Sequence, residues 1–140
     1  MSERERRRNN ILLHRIPEST KEQQEERTVE DRDKCTTIMT FLNPSFDQAA
    51  IKRLVRLGKQ QEEKPRPVLI EFANSGDKDT IMKATPKLKD SEHKECSIGH
   101  DLTKAQREEY KKLASEAKLK STETQTYRVV GHPGFWKLKL

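Results

Sequence analysis

Apolar positions fall in short clusters along this chain, and the spacing inside each cluster predicts an element. Residues 11–16, ILLHRI, are β-prone and stop at Pro17, which predicts a strand. Residues 17–27, PESTKEQQEER, are polar and mostly acidic and predict a loop. Thr28 with Asp31 three residues on has the form of a helix start. Behind it Cys35, Ile38, Met39 and Leu42 recur at i, i+3, i+4 and i+7, one helical face, until Asn43-Pro44 ends the run.

AIKRLVRLGK (50–59) predicts a basic strand closed by Gly58, and RPVLIEFA (66–73) predicts another beyond the charged loop QQEEK. Asn74-Ser75-Gly76 turns the chain into a helix over 77–84, with Ile81 and Met82 as core candidates, and Pro86 cuts that helix short. CSIGH (96–100) predicts a short last strand. The order β-α-β-β-α-β is the split βαβ, ferredoxin-like pattern. The expected class is therefore α+β, with helices on one face of the sheet and the other face open.

Past residue 100 the register changes. Thr103-x-x-Gln106 is a capping box opening a charged helix to about Lys120, with Tyr110, Leu113, Ala114 and Ala117 on one face. TYRVV (126–130) and FWKLKL (135–140) flank Gly131-His132-Pro133-Gly134 and predict a β-hairpin. The expected organisation is a basic N-terminal arm over 1–10, a sheet-and-helix domain over 11–100, and a helix-plus-hairpin appendage over 101–140.

Charge sharpens this picture. Only 31% of the 140 residues are apolar while 37% are charged, so one small core with a large solvated surface is expected. The net charge of +6 favours a polyanionic partner, nucleic acid before an anionic membrane. No apolar run approaches the roughly 18 residues of a spanning helix. The charged N-terminus lacks a signal peptide's apolar segment, and two cysteines make no secreted disulfide framework. An intracellular protein is expected.

"RRNNILLHRIPE", "RLGK", "RPVLIEF", "DLTKAQR" and "YRVVGHPG" occur in one order over roughly residues 6–137. Together they resemble the nucleic-acid-binding domain of the first-open-reading-frame proteins of LINE-type retrotransposons. The resemblance implies an RNA-recognition-motif-like domain followed by a small C-terminal domain. It also implies a non-enzymatic single-strand binder and chaperone in a cytoplasmic or nuclear ribonucleoprotein. Three departures stand out: the coiled coil of such proteins is missing, Arg15 sits where relatives often have glycine, and Pro86 breaks a helix that relatives continue.

An RNA-recognition motif stacks bases on aromatics of its first and third strands. Laid on this chain, the pattern points Val68, Ile70 and Phe72 to the core and Pro67, Leu69 and Glu71 outward, with Leu12 and His14 outward on the first strand. Stacking power is thus mostly absent, His14 being the one π-system left. Cations take its place. Lys52, Arg53 and Arg56 lie on the second strand, Lys59 just past it, and Lys64 and Arg66 before the third, against Glu62 and Glu63. The blander reading is a solvated edge that discourages edge pairing. Arg6, Arg7 and Arg8 precede the first strand, near the mouth of the open sheet, or form a basic tail. Lys104 and Arg107 open the capped helix, and Arg107 matches an arginine that relatives carry after "KA". At the C-terminus Tyr127, Phe135 and Trp136 interleave with Arg128, Lys137 and Lys139, a pattern suited to single strands. Trp136, Leu138 and Leu140 share a strand face and read as a small core, with Phe135 facing the other way.

His93-x-x-Cys96-x-x-x-His100 has ligand-like spacing but matches no zinc motif, so no metal and no cofactor are expected. No P-loop, nucleophile elbow or zincin motif argues for catalysis, and no small-molecule substrate or membrane partner is implied. The partner expected is single-stranded RNA or DNA. The rival is a protein-interaction or self-association module using an open apolar sheet face with Leu12 and Leu69.

Overall fold

The computed structural model describes residues 3–61, 63–131, Pro133 and 135–140. Glu62 of the charged loop, and His132 and Gly134 of the expected hairpin turn, lie outside the described residues. The elements are α1 (Glu3–Arg7), β1 (Asn10–His14), α2 (Gln24–Leu42), β2 (Ile51–Arg56), β3 (Val68–Phe72), α3 (Ser75–Ala84), β4 (Ser97–His100), α4 (Lys104–Lys120), β5 (Arg128–Val130) and β6 (Lys137–Lys139). Short 3₁₀ turns cover Gln48–Ala50 and Thr85–Asp90. The chain divides into two compact units, residues 8–101, and residues 1–7 together with 102–140.

The first unit is an α+β structure on a four-stranded antiparallel sheet of order β2-β3-β1-β4. Period-2 alternation turns Ile11 and Leu13 of β1 and Val68, Ile70 and Phe72 of β3 to one face. They meet Cys35, Ile38, Met39 and Leu42 of α2 and Ile81 of α3 in the main core. The register shifts between Ile51 and Arg53, so Lys52 is an extra residue against β3, a β-bulge.

Several boundaries differ from the sequence expectation. Helix α2 begins at Gln24, inside the segment expected to be a loop. Glu25 and Glu26 sit in its first turn, where carboxylates complement the helix dipole. The Arg27 guanidinium donates back to the carbonyls of Lys21 and Glu22 at 2.9 and 2.7 Å. Thr28 is therefore no cap; its hydroxyl donates to the Gln24 carbonyl. Strand β3 starts only at Val68, since Pro67 has no N–H for the ladder. Helix α3 starts at Ser75 because Asn74 accepts from the Asp77 amide at 2.9 Å. Pro86 ends the α-helix yet is accommodated in the 3₁₀ turn that follows. Arg15 has φ 65°, the left-handed region where glycine costs least, at the position where the resemblance leads one to expect glycine.

In the second unit, Thr103 and Gln106 form the reciprocal capping box at 3.0 and 3.1 Å and start α4. Strands β5 and β6 pair antiparallel as a hairpin and pack on α4. Gly131 is required there: its φ is 100°, and a Cβ would approach the Phe135 carbonyl oxygen to 2.6 Å. Trp136 stands edge-on to Tyr110 of α4, ring centroids 5.2 Å apart. Among the described residues the buried ones here are Thr103, Gln106 and Ala117, so this core is thin.

Candidate nucleic-acid interface

The expected cations divide sharply once their partners are seen. Arg56 was expected on an exposed strand edge, but its side chain is 6% exposed. Its Nε and Nη2 bind the two carboxylate oxygens of Asp31 at 3.1 and 2.8 Å. Its Nη1 donates to the carbonyls of Ile16 and Arg66 at 2.8 and 2.7 Å, and Nη2 to Pro17 at 3.1 Å. All five donors of the guanidinium are used, which leaves none for a phosphate. Arg56 is therefore a structural clamp joining α2, the end of β1 and the approach to β3.

Arg66 is closed in a similar way. Its Nε and Nη2 donate to Glu18 Oε1 at 2.9 and 2.7 Å, and its own amide donates to Oε2 at 3.2 Å. Desolvation pushes the Glu18 carboxyl up, but its hydrogen bonds to Arg66 and the Arg66 and Arg56 charges outweigh that and hold it below its ordinary value. Arg56 thus has no donor left for a phosphate, while Arg66, its side chain 27% exposed, turns Nε and Nη2 to Glu18.

Lys52 and Arg53 remain exposed. The bulge sends both toward one carboxylate, Glu71, at 3.5 and 3.4 Å. Lys59, Lys64 and His14 are exposed as well. On the outer sheet face Leu69 is only 5% exposed, flanked in register by Leu12 and Val55. The apolar docking face expected of Leu12 and Leu69 thus offers little more than a half-buried Leu12.

The arginines before β1 separate between the units. Arg6 and Arg7 lie in α1, and Arg7 donates to the Leu102 carbonyl at 2.8 Å. Arg8 belongs to the sheet unit, where the buried Lys78 ammonium donates to its carbonyl at 2.6 Å. Burial depresses the Lys78 pKa, against the attraction of Asp79 and Asp101. Sequence reading missed Lys78 altogether, because nothing in its surroundings distinguishes it from a solvated helix lysine.

Several cations of the second unit stand exposed. Lys104 and Arg107 are exposed at the start of α4, Arg107 also donating to Leu102 at 3.0 Å. Arg128 and Lys139 are direct register partners on β5 and β6, and Lys137 faces Val130 beside them. All three cations are exposed, and Phe135 is 70% exposed just before β6. Like charges set directly opposite each other destabilise a hairpin, so an anion between them is favourable.

The net charges of the two units differ in the same sense. Residues 8–101 carry seventeen Lys and Arg against seventeen Asp and Glu, a net charge of zero. Residues 1–7 and 102–140 carry twelve against six, so the whole excess of +6 belongs to this smaller unit.

No group of three or more His, Cys, Asp or Glu comes together among the described residues to hold a metal. Burial pushes the Cys35 thiol up to about 12, helped by nearby Asp31, and the Cys96 thiol up to about 11. No helix of the described residues is long and apolar enough to cross a membrane. No protein-family model matches the chain, and no curated protein matches it significantly.

Proposed function

We propose that this chain is a non-enzymatic, largely sequence-tolerant binder and chaperone of single-stranded nucleic acid, RNA before DNA, of LINE-type retrotransposon origin. The observation that carries the reading is the confinement of the +6 excess to residues 1–7 and 102–140, where Arg128, Lys137 and Lys139 stand exposed beside Phe135. Phosphates settle between Arg128 and Lys139 and relieve their repulsion, while Phe135 offers a ring to a base. Screening of phosphate repulsion lets strands exchange partners, which is the chaperone effect.

A ferredoxin-like, RNA-recognition-motif-type arrangement of residues 8–101 belongs to this reading. It is supported by the order β2-β3-β1-β4 with α2 after β1 and α3 after β3. Titration of a labelled single-stranded oligonucleotide at several salt concentrations tests the function. Neutralising about five phosphates gives a log–log slope of about −3 to −4. A slope near zero removes the electrostatic basis of the proposal.

A further inference from the structure

Lys78 is the one lysine of the sheet unit drawn inside, 7% exposed, and its ammonium holds backbone that no strand holds. The ladder pairs of β1 begin at Asn10 against Glu71 and at Ile11 against His100. Just before them, the Asn9 carbonyl still accepts from the Phe72 amide at 2.9 Å. The Arg8 carbonyl lies beyond the last ladder pair, and there Lys78 Nζ donates to it at 2.6 Å. Helix α3 is itself fixed, by its Asn74 cap and by Ile81 in the core, so the ammonium stands on a rigid support. Burying an ammonium is unfavourable, and Asp79 and Asp101 offset only part of that. An apolar side chain would fill the position without the penalty. The Arg8 charge adds to it, because it repels the ammonium that holds its own carbonyl. The Arg8 side chain, by contrast, is exposed.

Resting on the nucleic-acid reading above, we propose that Lys78 is a positioning residue for that binding. It holds the Arg8 backbone so that the exposed guanidinium meets a phosphate from a fixed point, and it does not touch the nucleic acid itself. A residue just outside a strand frays unless something ties it down, and a frayed arginine must be ordered when the phosphate arrives. The Lys78 hydrogen bond does that ordering in advance. It also explains why a cation, rather than an apolar residue, occupies the site. Only a long side chain with a donor at its tip reaches a carbonyl past the end of the ladder. A phosphate on Arg8 then relieves the repulsion between the two cations, so binding and the buried ammonium support each other.

The test uses the full chain and a labelled oligouridine at several salt concentrations. Arg8→Ser should weaken binding about fivefold and flatten the log–log slope by about 0.7, the share of one phosphate on a single strand. Lys78→Met keeps the bulk of the stem but donates no hydrogen bond, and should weaken binding by about as much. In the double variant the two losses should not multiply, because both act through one contact. A Lys78→Met variant that melts lower yet binds as tightly as the wild type has lost a structural bond only. That result, or losses that multiply to about 25-fold, would overturn the positioning role while leaving the single-strand binder standing. Should Lys78→Met not fold, amide relaxation of the wild-type chain by NMR decides. The Arg8 amide should be as ordered as β1, with an order parameter of about 0.85, and a value below about 0.6 overturns the proposal. Failure of the wild type to bind oligouridine overturns both readings.

Discussion

The two units solve opposite electrostatic problems. Residues 8–101 balance seventeen cations against seventeen carboxylates and close two of the cations into pairs, Arg56 with Asp31 and Arg66 with Glu18. Their core is large enough to carry such pairs, with Ile11, Leu13, Met39, Ile70, Phe72 and Ile81 fully buried. Residues 1–7 and 102–140 have few buried residues and an uncompensated +6, including Arg128 across from Lys139. Self-repulsion of that kind opposes folding, and the thinner core has less to set against it. The contrast teaches that basic residues here are of two kinds, those committed to the fold and those left exposed. A count of Lys and Arg along the sequence merges them.

The sharpest way to break this comparison is at Arg56. Arg56→Ala leaves Asp31 buried without its partner and should cost about 3–5 kcal/mol of stability in urea unfolding. The salt slope of oligonucleotide binding, measured where the variant is still folded, should not change. A flatter slope at unchanged stability would return Arg56 to the phosphate site. Next in size, the pair Arg128→Ser and Lys139→Ser should weaken binding to all sequences. It should flatten the slope by about 1.4, the share of two phosphates on a single strand. Stability should hold or rise slightly, since a like-charge pair is removed. If Lys52→Ser with Arg53→Ser flattens the slope as much, the two units do not differ in the way described.

A smaller effect lies in acid. The Glu18 carboxyl titrates below its ordinary value in the folded chain, because its desolvation is outweighed by Arg66. The unfolded state therefore binds the proton more readily. This contribution to stability is full above the unfolded carboxyl range and is lost as pH falls through the folded pKa. Glu18→Gln should remove that part of the acid dependence of the melting temperature and leave neutral-pH binding unaltered. The smallest effect is expected at Arg15→Gly. Relief of the left-handed backbone is worth about 1 kcal/mol. Glycine's entropy and the missing 2.8 Å hydrogen bond to the Glu95 carbonyl offset it. The melting temperature should move by less than about 4 °C, and the salt slope should stay put, although a cation has gone.

Much of the fold could be read from spacing. The stripe Cys35, Ile38, Met39, Leu42 and the alternation Val68, Ile70, Phe72 are core, and the Thr103–Gln106 box starts α4. The fate of Arg56 was legible too, from two signs read separately. Asp31 sits four residues before Cys35, on the buried stripe of α2, and Arg56 shares the core face of β2 with Leu54. A buried carboxylate on one element demands a buried cation on another; reading Thr28–Asp31 as a cap concealed the demand. The bulge at Lys52 was not legible, since it depends on how β2 registers against β3. The division of charge, by contrast, was legible: residues 11–100 carry sixteen Lys and Arg against sixteen Asp and Glu, so the expected sheet domain is already neutral on counting.

The Arg56–Asp31 clamp also bears on how the chain finds its fold. Its partners stand 25 residues apart, the Ile16 and Pro17 carbonyls 40 and 39 away, and the Arg66–Glu18 pair spans 48. Loops of that length close at an entropic cost before any contact compensates it. A half-assembled clamp is worse than none, because a desolvated guanidinium without its carboxylate is a penalty. The clamp therefore closes late, after α2 has settled on the sheet, and it acts on the unfolding limb: breaking it should speed unfolding and barely slow refolding. Its value to the protein is then measured in lifetime. If the clamp acts in this way, Arg56 stays engaged with Asp31 for as long as the sheet unit stays closed.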